Sequence, residues 1–248
     1  RPFSPAEEKI VLAQGELIVT RLMHLYLAET GVSSALLPAT EFMRTDKNAE
    51  PDMRFIRLHI RKAVRLHPHT RLFITQGYIC RNAAGQIDNL RRGGSDYSAS
   101  LIGAALEASE IQIWTDIDGL HNNDPRVVSI TTPVRRLTFD EASKLAHFGA
   151  KILHPTCILP AKLKNIPVRL LNTMEPDTPG TLISDTADTG RIKAVAAKDN
   201  VTYVKIRSKH KIPTYRFLNN VFHIFARSRT PIDLVVISDA EIALSVDD

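Results

Sequence analysis

A short polar loop at positions 92–96 carries residue types that bind anions. Its sequence is Arg92-Gly93-Gly94-Ser95-Asp96, and the Ala- and Leu-rich stretch 97–108 that follows is predicted to be helical. Two glycines let a backbone turn freely and approach a ligand closely. The amides at a helix N-terminus suit a phosphate or carboxylate, and an arginine can hold a carboxylate through two hydrogen bonds. Ser95 or Asp96 is predicted to cap this helix, so a plain capped turn remains the alternative.

A second polar segment, 114–119, follows a predicted strand at 111–115. In an open α/β sheet, ligands bind beyond the carboxyl ends of the strands, where Thr115 and Asp116 could hold a ribose, a base or a metal-bound phosphate. A strand-end turn in which the aspartate caps backbone amides explains the same residues. Further along, Arg126 and Lys151 are cations suited to the charge of a transferred phosphoryl group, although each alone also fits a surface charge.

Apolar strands alternate with helices through the first 172 residues. Helices are predicted at 17–27, 53–64, 97–108 and 140–148, and strands at 72–75, 111–115 and 167–171. Such an alternation predicts an α/β domain with a mainly parallel sheet sandwiched by helices. His154, just before a proline, is predicted to be a core or helix-end histidine.

The pattern changes after position 174. Residues 174–190, rich in Pro, Gly, Asp and Thr, are predicted to form loops. Two strands are predicted within 192–206, then a helix at 215–226 and strands at 232–237 and 241–246. This order predicts an incomplete α+β module, and both ends of the chain are expected to cut through larger domains. The predicted domains are residues 1–188 and 189–248.

Composition narrows the class of protein. The chain has 248 residues, 44% hydrophobic and 24% charged, and no apolar run is expected to span a bilayer or serve as a signal peptide. Cys80 and Cys157 are too few for a disulfide framework, which predicts a cytoplasmic protein with two buried thiols. The net charge of +5 is assigned to solvated helix faces, because the basic cluster at 54–65 shares its stretch with an apolar stripe at helical spacing. We therefore expect no nucleic-acid or membrane partner.

Several motifs, in order and at fitting spacing, make the chain resemble the aspartate kinases, most of all their lysine-sensitive single-function branch. The resemblance covers nearly the whole chain, including a late part similar to the first regulatory ACT module of that family. The matching segments are Gly15-Glu16-Leu17, Met43-Arg44-Thr45-Asp46, Gln76-Gly77-Tyr78-Ile79, 92–97, 114–119, 123–126, 148–155, Pro179-Gly180-Thr181, Phe217-Leu218, Val221-Phe222 and Pro231-Ile232-Asp233-Leu234.

The resemblance implies an amino-acid kinase fold followed by an incomplete ferredoxin-like ACT domain. It also implies transfer of the ATP γ-phosphoryl group to the side-chain carboxylate of L-aspartate, the first step of lysine, threonine and methionine biosynthesis. The expected cofactors are ATP and Mg²⁺, without a dedicated protein metal site. Further expectations are feedback by lysine and a homodimer. A catalytic lysine carried on an amino-terminal segment of the family has no counterpart in this sequence, so this chain is expected to be inactive by itself.

Residue roles follow from the same resemblance. Glu16 matches the residue that binds the substrate amino group, and Arg92 the one that grips its carboxylate, with Gly93, Gly94 and Ser95 beside it. Asp96 and Arg92 match the catalytic centre. The ATP contacts correspond to Thr115, Asp116, His121, Arg126, Lys151 and Ile152, where His121 replaces a common tyrosine. The effector contacts correspond to Thr214, Phe217, Leu218, Ile232, Asp233, Ser238 and Asp239.

Two alternatives remain open. A sister enzyme of the same fold acting on another carboxylate, such as glutamate, would share the anion-binding loop. A non-catalytic subunit bearing ACT modules would share only the late part of the chain. The Trp-Thr-Asp strand end and the Lys151 segment favour the aspartate kinase.

Overall fold

The computed structural model describes residues 3–90, 93–150, 153–188, 192–207, 214–238 and 241–247. They form two compact units, Arg1–Ala196 and Ala197–Asp248. The helices of the first unit are α1 (Pro5–Glu29), α2 (Ala39–Phe42), α3 (Met53–Arg65), α4 (Gly94–Leu106), α5 (Phe139–His147) and α6 (Pro155–Lys164). Its strands are β1 (Ala35–Leu36), β2 (Phe73–Ile74), β3 (Ile79–Arg81), β4 (Ile87–Asn89), β5 (Ile111–Thr115), β6 (Arg136–Thr138), β7 (Val168–Asn172) and β8 (Thr181–Ser184).

A four-stranded sheet in the order β5-β7-β8-β6 organises the later half of this unit. The pairs β5–β7 and β6–β8 are parallel, while β7–β8 is antiparallel. Two smaller sheets are the parallel pair β1–β2 and the antiparallel hairpin β3–β4. The predicted mainly parallel sheet is confirmed. The prediction of loops throughout 174–190 is wrong at β8, where Thr181 and Ile183 point inward and are buried.

Two apolar clusters hold the elements of the first unit together. One joins the four strands β5, β6, β7 and β8 to α5 and α6 through residues such as Leu137, Ile158 and Leu170. The other joins α2, α3 and α4 with β3, and Ile56 and Leu101 lie at its centre. Since α4 packs against α3 on one side and α6 on the other, its N-terminus is fixed by both clusters.

Helix α3 forms where the spacing predicts it. Asp52 caps it by accepting from the backbone N–H of Phe55 at 3.0 Å, and the apolar stripe buries Ile56 and Ile60. Helix α1 begins twelve residues before its predicted start at 17. Ser4 and Glu7 form a reciprocal capping box there, and a proline occupies the first turn, which is favourable at that position.

Helix α1 is the exception to the expectation that no segment could span a bilayer. Its length and composition are sufficient for a membrane span, so that expectation is wrong for this helix. Apolar side chains such as Val19 and Leu22 are about three-fifths exposed, at 63% and 60%. One flank nevertheless packs against β1 and β4, and the Lys9 ammonium lies 2.7 Å from the Asp88 carboxylate. The buried core helix of a soluble protein and a signal sequence pass the same test of length and composition.

The second unit contains β9 (Val201–Arg207), α7 (Thr214–Ser228), β10 (Leu234–Ile237) and β11 (Glu241–Asp247). Its strands form an antiparallel sheet in the order β10-β11-β9, and Val221 of α7 packs on Ile242 and Leu244. The helix and the last two strands were predicted. The prediction of a separate strand at 192–198 is wrong, because Lys193 and Val195 tie the first part of this segment to the first unit. Lys193 pairs with Glu141 at 2.8 Å, and the Val195 N–H donates to the Asn122 carbonyl.

Candidate functional site

The N-terminus of α4 is open in the structure. Gly93 is its cap residue, with φ +71° in the left-handed region, and among the described residues no side chain caps the helix. The prediction that Ser95 or Asp96 would be the cap is therefore wrong, because the helix begins at Gly94 and already contains both residues. The amides of the first three helix residues have no hydrogen-bond partner in the part of the chain that the structure describes, so they are available to a ligand, as in helix N-termini that bind anions. Arg92, predicted to grip a carboxylate, lies outside the described residues.

The start of α6 supports this helix end from one side. A Cβ placed on Gly93 would lie 2.7 Å from the Cβ of His154, closer than real Cβ contacts allow. The Cys157 thiol donates to the Gly93 carbonyl with Sγ 3.4 Å from the oxygen. His154 caps α6, and its Nδ1 lies 2.7 Å from the Thr156 hydroxyl. The predicted helix-end histidine is thus confirmed, and glycine is required at position 93 for both conformation and space.

The segment after β2 supports the helix end from the opposite side. A Cβ on Gly77 would lie 2.9 Å from the Ser95 hydroxyl oxygen, and one on Gly94 would lie 2.6 Å from the Tyr78 ring. The buried Ser98 hydroxyl accepts from the Tyr78 N–H at 3.0 Å and donates to the Gly94 carbonyl at 2.8 Å. Neither Tyr78 nor Ser98 was predicted to act at the site. The sequence offered one indication for Ser98, which follows Gly94 by four positions. A serine inside a helix can donate to the backbone carbonyl four residues before it.

Asp96 lies in the first turn of α4 and is half-buried. Burial raises the pKa of its carboxyl above the ordinary value. A carboxylate in a poorly solvated position attracts a nearby cation, and it can orient charged groups that react beside it. The pKa of the Cys157 thiol is raised to about 12, first by burial and then by the negative charge of Asp96. This thiol is therefore neutral and acts as a packing group, as predicted for both cysteines.

The end of β5 holds the predicted nucleotide residues in a compact turn. The Thr115 hydroxyl accepts from the Ile117 N–H at 3.1 Å, so it stabilises the turn, while Asp116 is exposed. His121 has both ring nitrogens engaged, with Nε2 2.5 Å from Asp118 and Nδ1 2.8 Å from Thr131. Any contact of this histidine with a nucleotide must use the ring face or an exchanged hydrogen bond.

The predicted cations of the site are placed as follows. Arg126 is 65% exposed and forms a two-pronged ion pair with Asp124, with Nη2 2.5 Å from the carboxylate. A phosphate would have to share this guanidinium with Asp124. Lys151 and Ile152 lie outside the described residues, between α5 and α6.

Glu16 lies in the middle of α1, half-buried, and its carbonyl accepts from the Thr20 hydroxyl at 2.7 Å. That hydroxyl also accepts from the Gln76 side chain at 2.7 Å. The predicted substrate helix is thus linked to the segment that contacts Ser95 and α4.

The predicted effector residues that the structure describes lie in α7 and on either side of β10 in the second unit. Phe217, Leu218 and Ile232 pack partly buried against its apolar core. Asp233 pairs with Lys198, the two charged atoms lying 3.1 Å apart. The Ser238 N–H donates to the Glu241 carbonyl at 2.9 Å. Thr214 is the first residue of α7, and Asp239 lies outside the described residues.

Residues 4–172 match the model of the amino acid kinase family, and the chain belongs to that family. Its fold is the amino-acid kinase fold, as predicted. Within the family the chain is similar to aspartokinases. It is 37% identical to the lysine-sensitive aspartokinase 3 of Escherichia coli over 98% of this chain and 55% of that protein.

Two solved structures of E. coli aspartokinase III have the same architecture. The R-state complex with aspartate and ADP superposes with a TM-score of 0.87 at 35% identity, over 99% of this chain and 56% of that one. The T-state complex with lysine and aspartate gives 0.79 at 35% identity, over 98% and 56%. The chain thus spans somewhat more than half the length of these relatives.

Proposed function

We propose that the protein is an aspartate kinase, which transfers the γ-phosphoryl group of ATP to the side-chain carboxylate of L-aspartate and forms 4-phospho-L-aspartate. The observation that carries the proposal is the open N-terminus of α4, lined by Gly93 and Gly94 and flanked by the half-buried Asp96. The similarity to aspartokinases over nearly the whole chain supports the choice of substrate.

The chemistry suits such a site. A carboxylate nucleophile is already anionic at neutral pH, so no strong general base is needed. The protein must instead bring two anions together and offset their charge. The α4 amides and Arg92 would hold the substrate carboxylate, and Glu16 would hold the substrate ammonium group. Asp96 would organise the reacting centre. Thr115, Asp116, His121, Arg126, Lys151 and Ile152 would serve the nucleotide.

Magnesium fits this arrangement as a partner of ATP. No group of three His, Cys, Asp or Glu side chains suited to a metal ion occurs in the described part of the chain. Mg²⁺ is commonly bound by substrate phosphates, water and one or two carboxylates, and Asp96 is the candidate carboxylate here. When bound, the ion would offset phosphate charge.

The proposal includes regulation and assembly. The second compact unit, Ala197–Asp248, would form part of an ACT domain that binds lysine through residues such as Phe217, Asp233 and Ser238. The similarity to a lysine-sensitive aspartokinase supports this choice of effector. The protein is further proposed to be a homodimer and to lie in the cytoplasm. Its two free buried cysteines fit a reducing compartment.

The test is ATP-dependent aspartyl-hydroxamate formation by the full-length protein, with L-aspartate and L-glutamate compared side by side. Turnover with aspartate that falls when lysine is added is the expected result. Turnover with glutamate alone would replace the proposed substrate, and a rate indifferent to high lysine would remove the proposed effector.

A further inference from the structure

A buried amide lies between the predicted substrate helix and the open end of α4. Gln76 is 2% exposed and lies two residues after the end of β2. Its Oε1 accepts from the Ala39 N–H at 2.8 Å, at the start of α2, and its Nε2 donates to the Thr20 hydroxyl at 2.7 Å. Rotating the amide by half a turn would place a donor against the Ala39 N–H, so its orientation is fixed.

The hydrogen bonds continue to Glu16. The Thr20 hydroxyl, having accepted from Gln76, donates to the Glu16 carbonyl at 2.7 Å. The Gln76 amide oxygen, one of its two amide N–H groups and the Thr20 hydroxyl each have a partner, which restricts both side chains and the turn of α1 that carries Glu16. Hydrogen bonds in such a poorly solvated network favour one arrangement of its members.

The next residue contacts the other half of the site. Gly77 packs so closely on Ser95 that a Cβ there would lie 3.0 Å from the Ser95 Cα. Tyr78 follows with φ +65°, and its N–H is held by Ser98 of α4. Three consecutive residues thus join α1 to the first turn of α4 without themselves carrying a charge.

We propose that Gln76 is a positioning residue that, through Thr20, sets the place of Glu16 relative to the Ser95 end of α4 and so governs the affinity for the amino-acid substrate. The proposal rests on the proposed function, because it takes Glu16 and Ser95 as substrate contacts. The predicted nucleotide residues make no described hydrogen bond to this network, so ATP affinity is set elsewhere.

The test compares variants of the full-length protein in the hydroxamate assay, with KM determined separately for aspartate and for ATP. Thr20→Val removes the hydroxyl that links Gln76 to Glu16, whereas Thr20→Ser retains it. Gln76→Leu removes the whole amide. Gln14→Leu is the matched control, since that amide lies on the same helix, is exposed and, among the described residues, donates only to the Ile10 carbonyl.

Thr20→Val and Gln76→Leu are expected to raise the KM for aspartate about tenfold, the effect of losing roughly one well-aligned hydrogen bond, with the KM for ATP unchanged. Thr20→Ser and Gln14→Leu should behave as the wild type. If Gln76→Leu fails to fold, the Thr20 pair carries the test.

Three results would overturn the proposal. One is an unchanged KM for aspartate in Thr20→Val. Another is a parallel rise of both KM values that follows the loss of thermal stability, as a purely structural amide would give. Activity of the wild type with neither aspartate nor glutamate would remove the proposed function together with this inference, whereas an active wild type with unaffected variants removes the inference alone.

Discussion

Replacing Gly93 by alanine tests whether the tight junction of α4 and α6 is what shapes the site. Gly93 has φ +71°, and its Cβ would lie 2.7 Å from the Cβ of His154. Left-handed backbone costs an L-residue about 1–2 kcal/mol. Overpacking costs roughly 1–3 kcal/mol more, because the neighbouring atom is the His154 Cβ, which is fixed to the backbone at the start of α6. Gly93→Ala should therefore lower the free energy of unfolding by about 2–5 kcal/mol.

Gly31→Ala is the matched control for this variant. Gly31 has φ +78°, yet apart from its chain neighbours no described atom lies within 4 Å of where its Cβ would be. It carries the backbone cost alone, about 1–2 kcal/mol. Urea unfolding of both variants separates the two contributions, and the hydroxamate assay should show lost turnover for Gly93→Ala only. If the two variants were equally destabilised and both kept their activity, the claim that close packing of α4 on α6 shapes the site would be refuted.

Three further perturbations follow from single contacts. Ser98→Ala leaves the partly buried Tyr78 N–H without the Ser98 hydroxyl and should cost about 1–3 kcal/mol in urea unfolding. A loss smaller than about 0.5 kcal/mol would contradict the proposed role of this hydrogen bond. Thr75→Val should leave stability unchanged or raise it, because the buried Thr75 hydroxyl has no hydrogen-bond partner among the described residues, so a clear loss would reveal one. The hydrogen bond from Arg44 holds the pKa of the Asp52 carboxyl below its ordinary value of 3.8. The stability that the ionised Asp52 contributes is therefore present above pH 3.8 and is lost as the pH falls through the lowered pKa. The difference between the wild type and Asp52→Asn should accordingly vanish in acid, and a difference independent of pH would exclude the charge as its cause.

Periodic and strongly apolar segments of this fold were predictable from the sequence. Strand β5 has the predicted bounds, and α3 lies within one residue of them. Both have a single strong pattern, five apolar-rich residues in one and an apolar stripe at helical spacing in the other. By contrast, α1 was predicted too short, because its apolar residues surround the helix and do not mark one face.

Tertiary contacts decided the parts that were not predicted. The segment 192–198 has the composition of a strand, but Lys193 and Val195 bind it to the first unit. Gly93 became the cap of α4 because α6 leaves no room there for a side chain. The partners of Gln76 lie 37 and 56 residues away in the sequence, a distance at which no local pattern can indicate a contact.

The central claim is that the open end of α4 is where a phosphoryl group is transferred to aspartate. The most direct measurement is the rate of aspartyl-hydroxamate formation by the full-length wild type and by Asp96→Asn, with the melting temperature of each recorded. The account predicts a loss of turnover of about a hundredfold or more with an unchanged melting temperature, since only the charge at the first turn is removed. A variant that keeps a near-normal rate would show that this loop is a structural turn and contradict the account.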